Sequence, residues 1–124
     1  MWVALRRALP DVHWQRIEGS PGVPDINGCW AGADFWIEGK VLRAGHKIRF
    51  QPGQVGWLLR RAFSRGRCFV LVVDAAVSGD WLLYHGAQVR DLALHGVGLP
   101  NSPEPLLRLP KPRKYDALLR VLVT

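Results

Sequence analysis

GVPDINGCWAGADFWIEGK, residues 22–40, is the stretch whose reading decides the fold. DINGCW (25–30) and DFWIEGKVL (34–42) are rich in β-formers, and AGAD between them is a tight turn, so the stretch predicts a β-hairpin. Alternation along the second strand sends Phe35, Ile37 and Gly39 to one face and Trp36, Glu38 and Lys40 to the other. The apolar neighbours mark a buried strand, and a buried strand excludes unpaired charge. Yet Asp25 opens the first strand, and Glu38 and Lys40 sit two apart on the second. Pairing across the hairpin brings Asp25 alongside them. Asp34 is read as part of the turn, with no chemical role.

Outward from the hairpin, the pattern alternates helix and strand. WVALRRAL (2–9) has helical spacing and stops at Pro10. VHWQRIE (12–18) reads as extended, and GSPGVP (19–24) as a turn. RAGHKIRFQP (43–52) is a basic loop or a short extra strand. GQVGWLLRRAFSRG (53–66) places Val55, Leu58, Leu59 and Ala62 on one face of an amphipathic helix that ends at Gly66. CFVLVVDA (68–75) is a continuous apolar run, a buried central strand. DWLLYHG (80–86) is a further strand and AQVRDLAL (87–94) a short helix. Residues 96–112, with five prolines, read as a loop or arm, and KYDALLRVLV (114–123) as a last helix or strand. No internal repeat is present. The order predicts an α/β domain with a mixed central β-sheet flanked by helices.

The chain's 124 residues fit a single domain, 1–124, and 48% hydrophobic residues suffice to bury a core. The net charge of +7 points to a polyanionic partner, nucleic acid before an anionic membrane. No apolar run is long enough to span a bilayer, and the N-terminal stretch lacks a signal-peptide pattern. Cys29 and Cys68 are isolated, which argues for reduced thiols in a cytosolic protein and against a zinc site. Charge is also arranged. Between Glu38 and Asp74 there is no acidic residue, while Lys40, Arg43, Lys47, Arg49, Arg60, Arg61, Arg65 and Arg67 all lie there. A solvated helix face mixes signs; a one-sign run over a loop and helix fits a phosphate-binding surface. Trp57, in the same interval, is read as core and His46 as exposed.

Asp25, Glu38 and Lys40 converging on one spot define the chemistry. Two neighbouring carboxylates repel unless a positive group lies between them. Mg²⁺ suits the place, because it takes carboxylate oxygens and keeps several waters. Bound there, it can acidify a water and stabilise charge on a phosphoryl oxygen. On spacing alone a Glu-x-Lys pair reads as a surface salt bridge; the Pro-Asp step, the apolar strand before Glu38 and the basic run after Lys40 favour the site.

Pro24-Asp25 followed by Glu38-Gly39-Lys40 on an FWIEGK strand resembles the PD-(D/E)XK nuclease superfamily. RIEGSPGVPDING, FWIEGK, IRFQPGQVGWLLRRA and RCFVLVV, in that order over residues 14–74, are similar to small phage and prophage nucleases of the VRR-NUC type. The resemblance implies a restriction-endonuclease-like core. It implies that Asp25 and Glu38 bind Mg²⁺ or Mn²⁺, with the Gly39 carbonyl and Glu18 completing the shell. It assigns Lys40 to the attacking water and places Gln54 close to the metal and scissile phosphate. Gly39 departs from the pattern, since an apolar side chain usually fills that position.

Together these readings predict a metal-dependent DNA endonuclease, a hydrolase selective for branched DNA such as a Holliday junction or flap. Arg43, Lys47, Arg49, Arg60 and Arg61 are the expected backbone contacts. A two-fold symmetric junction calls for a homodimer, with 96–124 as a C-terminal arm that forms the interface. The expected setting is the cytoplasm, with a phage or prophage origin. The alternative is a nucleic-acid-binding module that keeps the fold without cleavage.

Overall fold

The hairpin forms as two strands joined by a two-residue turn, Ala31-Gly32, with both residues at positive φ (50° and 81°). That is the turn whose twist matches paired strands. The turn is shorter than the AGAD reading, so Asp34 lies in the second strand, opposite Cys29, where its Oδ1 accepts from Asn27 Nδ2 at 3.1 Å.

The computed structural model describes all residues, 1–124. Its elements are α1 (Trp2–Ala8), β1 (His13–Arg16), β2 (Ile26–Trp30), β3 (Ala33–Leu42), α2 (Gln54–Phe63), β4 (Arg67–Asp74), β5 (Trp81–His85), α3 (Val89–His95), β6 (Leu107–Leu109) and α4 (Tyr115–Val123). A 3₁₀ turn, Gly86–Gln88, leads into α3. The six strands form one sheet in sequence order. Only β3 and β4 run parallel, with α2 as the crossover between them; the other neighbours are antiparallel. The sheet is mixed and the fold is α/β, as the pattern predicts.

Helices cover both faces. α1 and α4 pack on one, where Leu5, Phe35, Ile37, Leu71, Leu118 and Leu122 are buried. α2 and α3 pack on the other, over Leu58, Val70, Val72, Leu82 and Leu92. β4 is covered on both sides, which is why its sequence is continuously apolar. No helix is long and apolar enough to cross a membrane.

Residues 43–52 form the basic loop, the first of the two readings, without the short extra strand. Two expectations need correction. α2 ends at Phe63 rather than Gly66, because the chain reverses through Arg65 in the left-handed region (φ 62°). Residues 96–124 are not a detached arm: β6 pairs with β5, and α4 buries Leu118 and Leu122 in the first core.

Candidate active site

β2 begins at Ile26, paired with Ile37, and the residue before it continues the ladder in a different way. The Asp25 carbonyl accepts from the Ile17 N–H at 2.8 Å. Its side chain turns toward β3, where Oδ1 accepts from the Gly39 N–H at 3.0 Å. A carboxylate thus takes the place of a strand partner. In an extended strand a residue's N–H and C=O face the same neighbour, so the Gly39 carbonyl looks to the edge that Asp25 occupies.

Gly39 itself has a structural reason. A Cβ there would lie 3.0 Å from the Met1 Sδ and 3.6 Å from Asp25 Oδ2. The volume an apolar side chain would take is filled by Met1, at the start of α1. The missing packing is supplied from another part of the chain, which the local pattern could not reveal.

Glu38 and Lys40 project from the opposite face of β3, toward α2. Glu38 is only 5% exposed. Burial first, and then the nearby Asp25 charge, push its carboxyl up to about 7, against the lowering effect of Lys40. The Lys40 Nζ lies 3.6 Å from Glu38 Oε2 and donates to Gln54 Oε1 at 2.9 Å. It also sits 4.8 Å above the centre of the Phe50 ring. An ammonium over an aromatic face is attracted by the ring's quadrupole, so three groups fix this one charge. Phe50 carries no polar signal and sequence reasoning missed it.

Gln54 opens α2, and its Oε1 also accepts from the Gln51 N–H at 2.7 Å. The first turn of the helix is held against the 19–24 turn by two glycines. A Cβ on Gly22 would come within 3.1 Å of the Gly53 carbonyl carbon, and both residues have positive φ. That close approach brings the helix start within reach of Lys40.

Asp25, Glu38, Gly39, Lys40 and Gln54 are therefore brought together. Glu18 is not. Its side chain is exposed and lies 3.6 Å from Arg16 Nε, on the solvent side of the chain. No group of three His, Cys, Asp or Glu side chains forms a metal-binding cluster. The carboxylate pair Asp25 and Glu38 stands without a third acid.

The basic residues divide. Lys40, Arg43, Lys47 and Arg49 line a groove of about 420 Å³ beside the site, floored by Leu42 and Ile48. Arg60 is exposed on α2. Arg61 lies over Trp57 at 4.5 Å and over Trp36 at 5.6 Å, so its guanidinium is packed as well as charged. Trp57 belongs to the second core's margin. His46 pins its loop to Val97: its ring Nδ1 donates to the Val97 carbonyl at 2.7 Å, and its own carbonyl accepts from the Val97 N–H.

The fold that carries this site, a mixed sheet with one parallel pair and helices on both faces, is one seen in a DNA-junction resolvase. The chain is similar in structure to Hjc of Archaeoglobus fulgidus, a Holliday junction resolvase from an archaeal hyperthermophile, with a TM-score of 0.51. The two are 18% identical, and the likeness covers 69% of this chain. It spans 66% of the resolvase, a little under two thirds of that protein. At this identity what is shared is the fold. No protein-family model matches the sequence, and no curated protein matches it either.

Proposed function

We propose that this protein is a divalent-metal-dependent endonuclease that hydrolyses phosphodiester bonds in branched DNA. The observation that carries the reading is the meeting of Asp25, Glu38 and the Gly39 edge with a fixed Lys40, beside a groove whose charged residues are all cations. The fold shared with Hjc supports it.

The donors fit Mg²⁺ or Mn²⁺. Asp25 and Glu38 carboxylates and the Gly39 carbonyl are hard oxygen ligands. The pair presents two acids with one ammonium at hand, and Glu38 is held up to about 7 by burial and by Asp25, the state a dication would relieve. Bound there, the cation would supply Lewis acidity toward water and a phosphoryl oxygen. The chain's own groups do the rest. Glu38, buried, is itself held out of bulk water, which fixes its carboxylate in place. Lys40, held by Gln54, Glu38 and Phe50, presents Nζ protons to the attacking water or to the non-bridging oxygen that gains charge. Arg43, Lys47 and Arg49 hold flanking phosphates, with Arg60 and Arg61 further along α2. Such contacts position a backbone without reading bases, so preference for DNA shape over sequence is expected. A two-fold symmetric junction needs two such sites, which a homodimer provides.

The test is a cleavage panel: labelled four-way junction, flap and linear duplex, each with Mg²⁺, Mn²⁺ or chelator. Expected is metal-dependent product from branched DNA, falling at least about 100-fold in Asp25→Ala and Glu38→Ala, the scale of losing a key charge-stabilising group. No metal-dependent product from any DNA would overturn the enzyme reading. Undiminished cleavage by either variant would overturn the site.

A further inference from the structure

A second basic tract lies on the other face of the sheet from the groove just described. Arg6, Arg7 and His13 line a groove of about 620 Å³ between α1 and the start of β1, together with Val3 and Trp14. All three basic side chains are exposed, and Arg6 is steadied 5.4 Å above the Trp2 ring. Residues 1–18 contain two acids, Asp11 and Glu18, and Glu18 lies beside Arg16, so Arg6 and Arg7 carry the charge of this tract. α1 packs in the core on the Phe35 and Ile37 face of β3, whereas Lys40 faces α2.

The helix ties this tract to the site. Met1 rests against Gly39, whose N–H is bound by Asp25, so α1 starts at the carboxylate edge and leads away from it. Its seven residues span about 10 Å at 1.5 Å per residue. That is about three steps along a DNA strand. The carboxylates thus sit between two cationic tracts that leave them on opposite sides of the sheet. Arg43, Lys47 and Arg49 lie beyond the end of β3, with Lys40, and Arg6 and Arg7 lie on α1, which starts at Met1 on the other face. Two duplex arms diverging from a branch would offer phosphates to both tracts.

We infer that Arg6 and Arg7 bind the phosphates of a second DNA arm, and that this binding is what makes the protein prefer branched over linear DNA. The inference rests on the nuclease reading for the position of the branch, but its test reads binding alone. Four-way junction and duplex of equal length are titrated in chelator, over a series of salt concentrations, with the parent protein, Arg6→Ala/Arg7→Ala, and Arg90→Ala/Arg120→Ala. The last pair removes the same charge from exposed positions on α3 and α4. The expected result is a several-fold loss of junction affinity in Arg6→Ala/Arg7→Ala, with duplex affinity kept. The salt slope for the junction should fall by about 2, close to one for each phosphate that is no longer neutralised. Arg6→Lys/Arg7→Lys should restore both. Equal loss on junction and duplex, no loss on either, or the same change in the α3/α4 control would overturn the proposal. A parent that binds junctions selectively yet cleaves nothing leaves this inference standing and removes the catalytic one.

Discussion

Glu38 concentrates the physics of the site in one residue. Its carboxyl is pushed up to about 7, from an ordinary value of 4.5, by burial and by Asp25. Between those two values the folded protein holds a proton that the unfolded chain releases. The associated stability is fully present below about pH 4.5 and is lost as pH rises through 7. For a shift of this size it is on the order of 3 kcal/mol, at about 1.4 kcal/mol per unit. In chelator, then, the melting temperature should fall between pH 5 and pH 8, and Glu38→Gln should flatten that fall and be the more stable protein at pH 8. Mg²⁺ should restore the parent at pH 8 and do little for Glu38→Gln. Melts recorded across this pH range check it, and parallel slopes for the two proteins would remove the assignment. Above about pH 7 the buried, charged Glu38 carboxylate beside Asp25 is a liability to the fold.

At the scale of elements, the β2–β3 hairpin rests on a residue with no side chain. A Cβ on Gly28 would come within 2.5 Å of the Phe35 ring and 3.1 Å of the Trp14 ring. Phe35 is fully buried and meets Trp14 edge-to-face at 5.6 Å, so the Phe35 ring has no room to retreat. Gly28→Ala should cost about 1–3 kcal/mol by overpacking. Phe35→Leu should recover part of that loss in a double-mutant cycle followed by denaturant unfolding. The hairpin was legible because alternation is local: Phe35 and Ile37 inward on one face, Glu38 and Lys40 on the other. The convergence of Asp25 with them followed from register alone. What stayed hidden depends on distant partners. β6 is three residues, Leu107–Leu109, between Pro105 and Pro110, and its strand character comes from the edge of β5. Met1 filling the place beside Gly39, and Phe50 lying under Lys40, are meetings of segments with no shared period. Glu18 shows the reverse error. Its position in the chain matched a pattern, but its side chain meets Arg16 in solvent.

At the scale of the whole molecule, residues 96–124 decide between two designs. An arm used only to join two copies could be removed to leave a folded monomer. Here the end of the chain closes one face of the sheet. Leu118 and Leu122 are fully buried against the same core as Leu5, Phe35 and Leu71. Tyr115 meets Trp81 edge-to-face at 5.6 Å. Truncating one buried leucine to alanine costs about 2–5 kcal/mol. Losing α4 removes both leucines and exposes the strands beneath, against a typical total stability of about 5–15 kcal/mol. A chain ending at Arg113 should therefore show no cooperative thermal transition, whatever its concentration. The full chain should melt cooperatively and scatter light as a dimer at working concentration. A truncated chain that melts cooperatively as a monomer would return residues 114–124 to the role of an arm. A full chain that stays monomeric would leave one site per particle, and cleavage of a symmetric junction would then proceed one strand at a time.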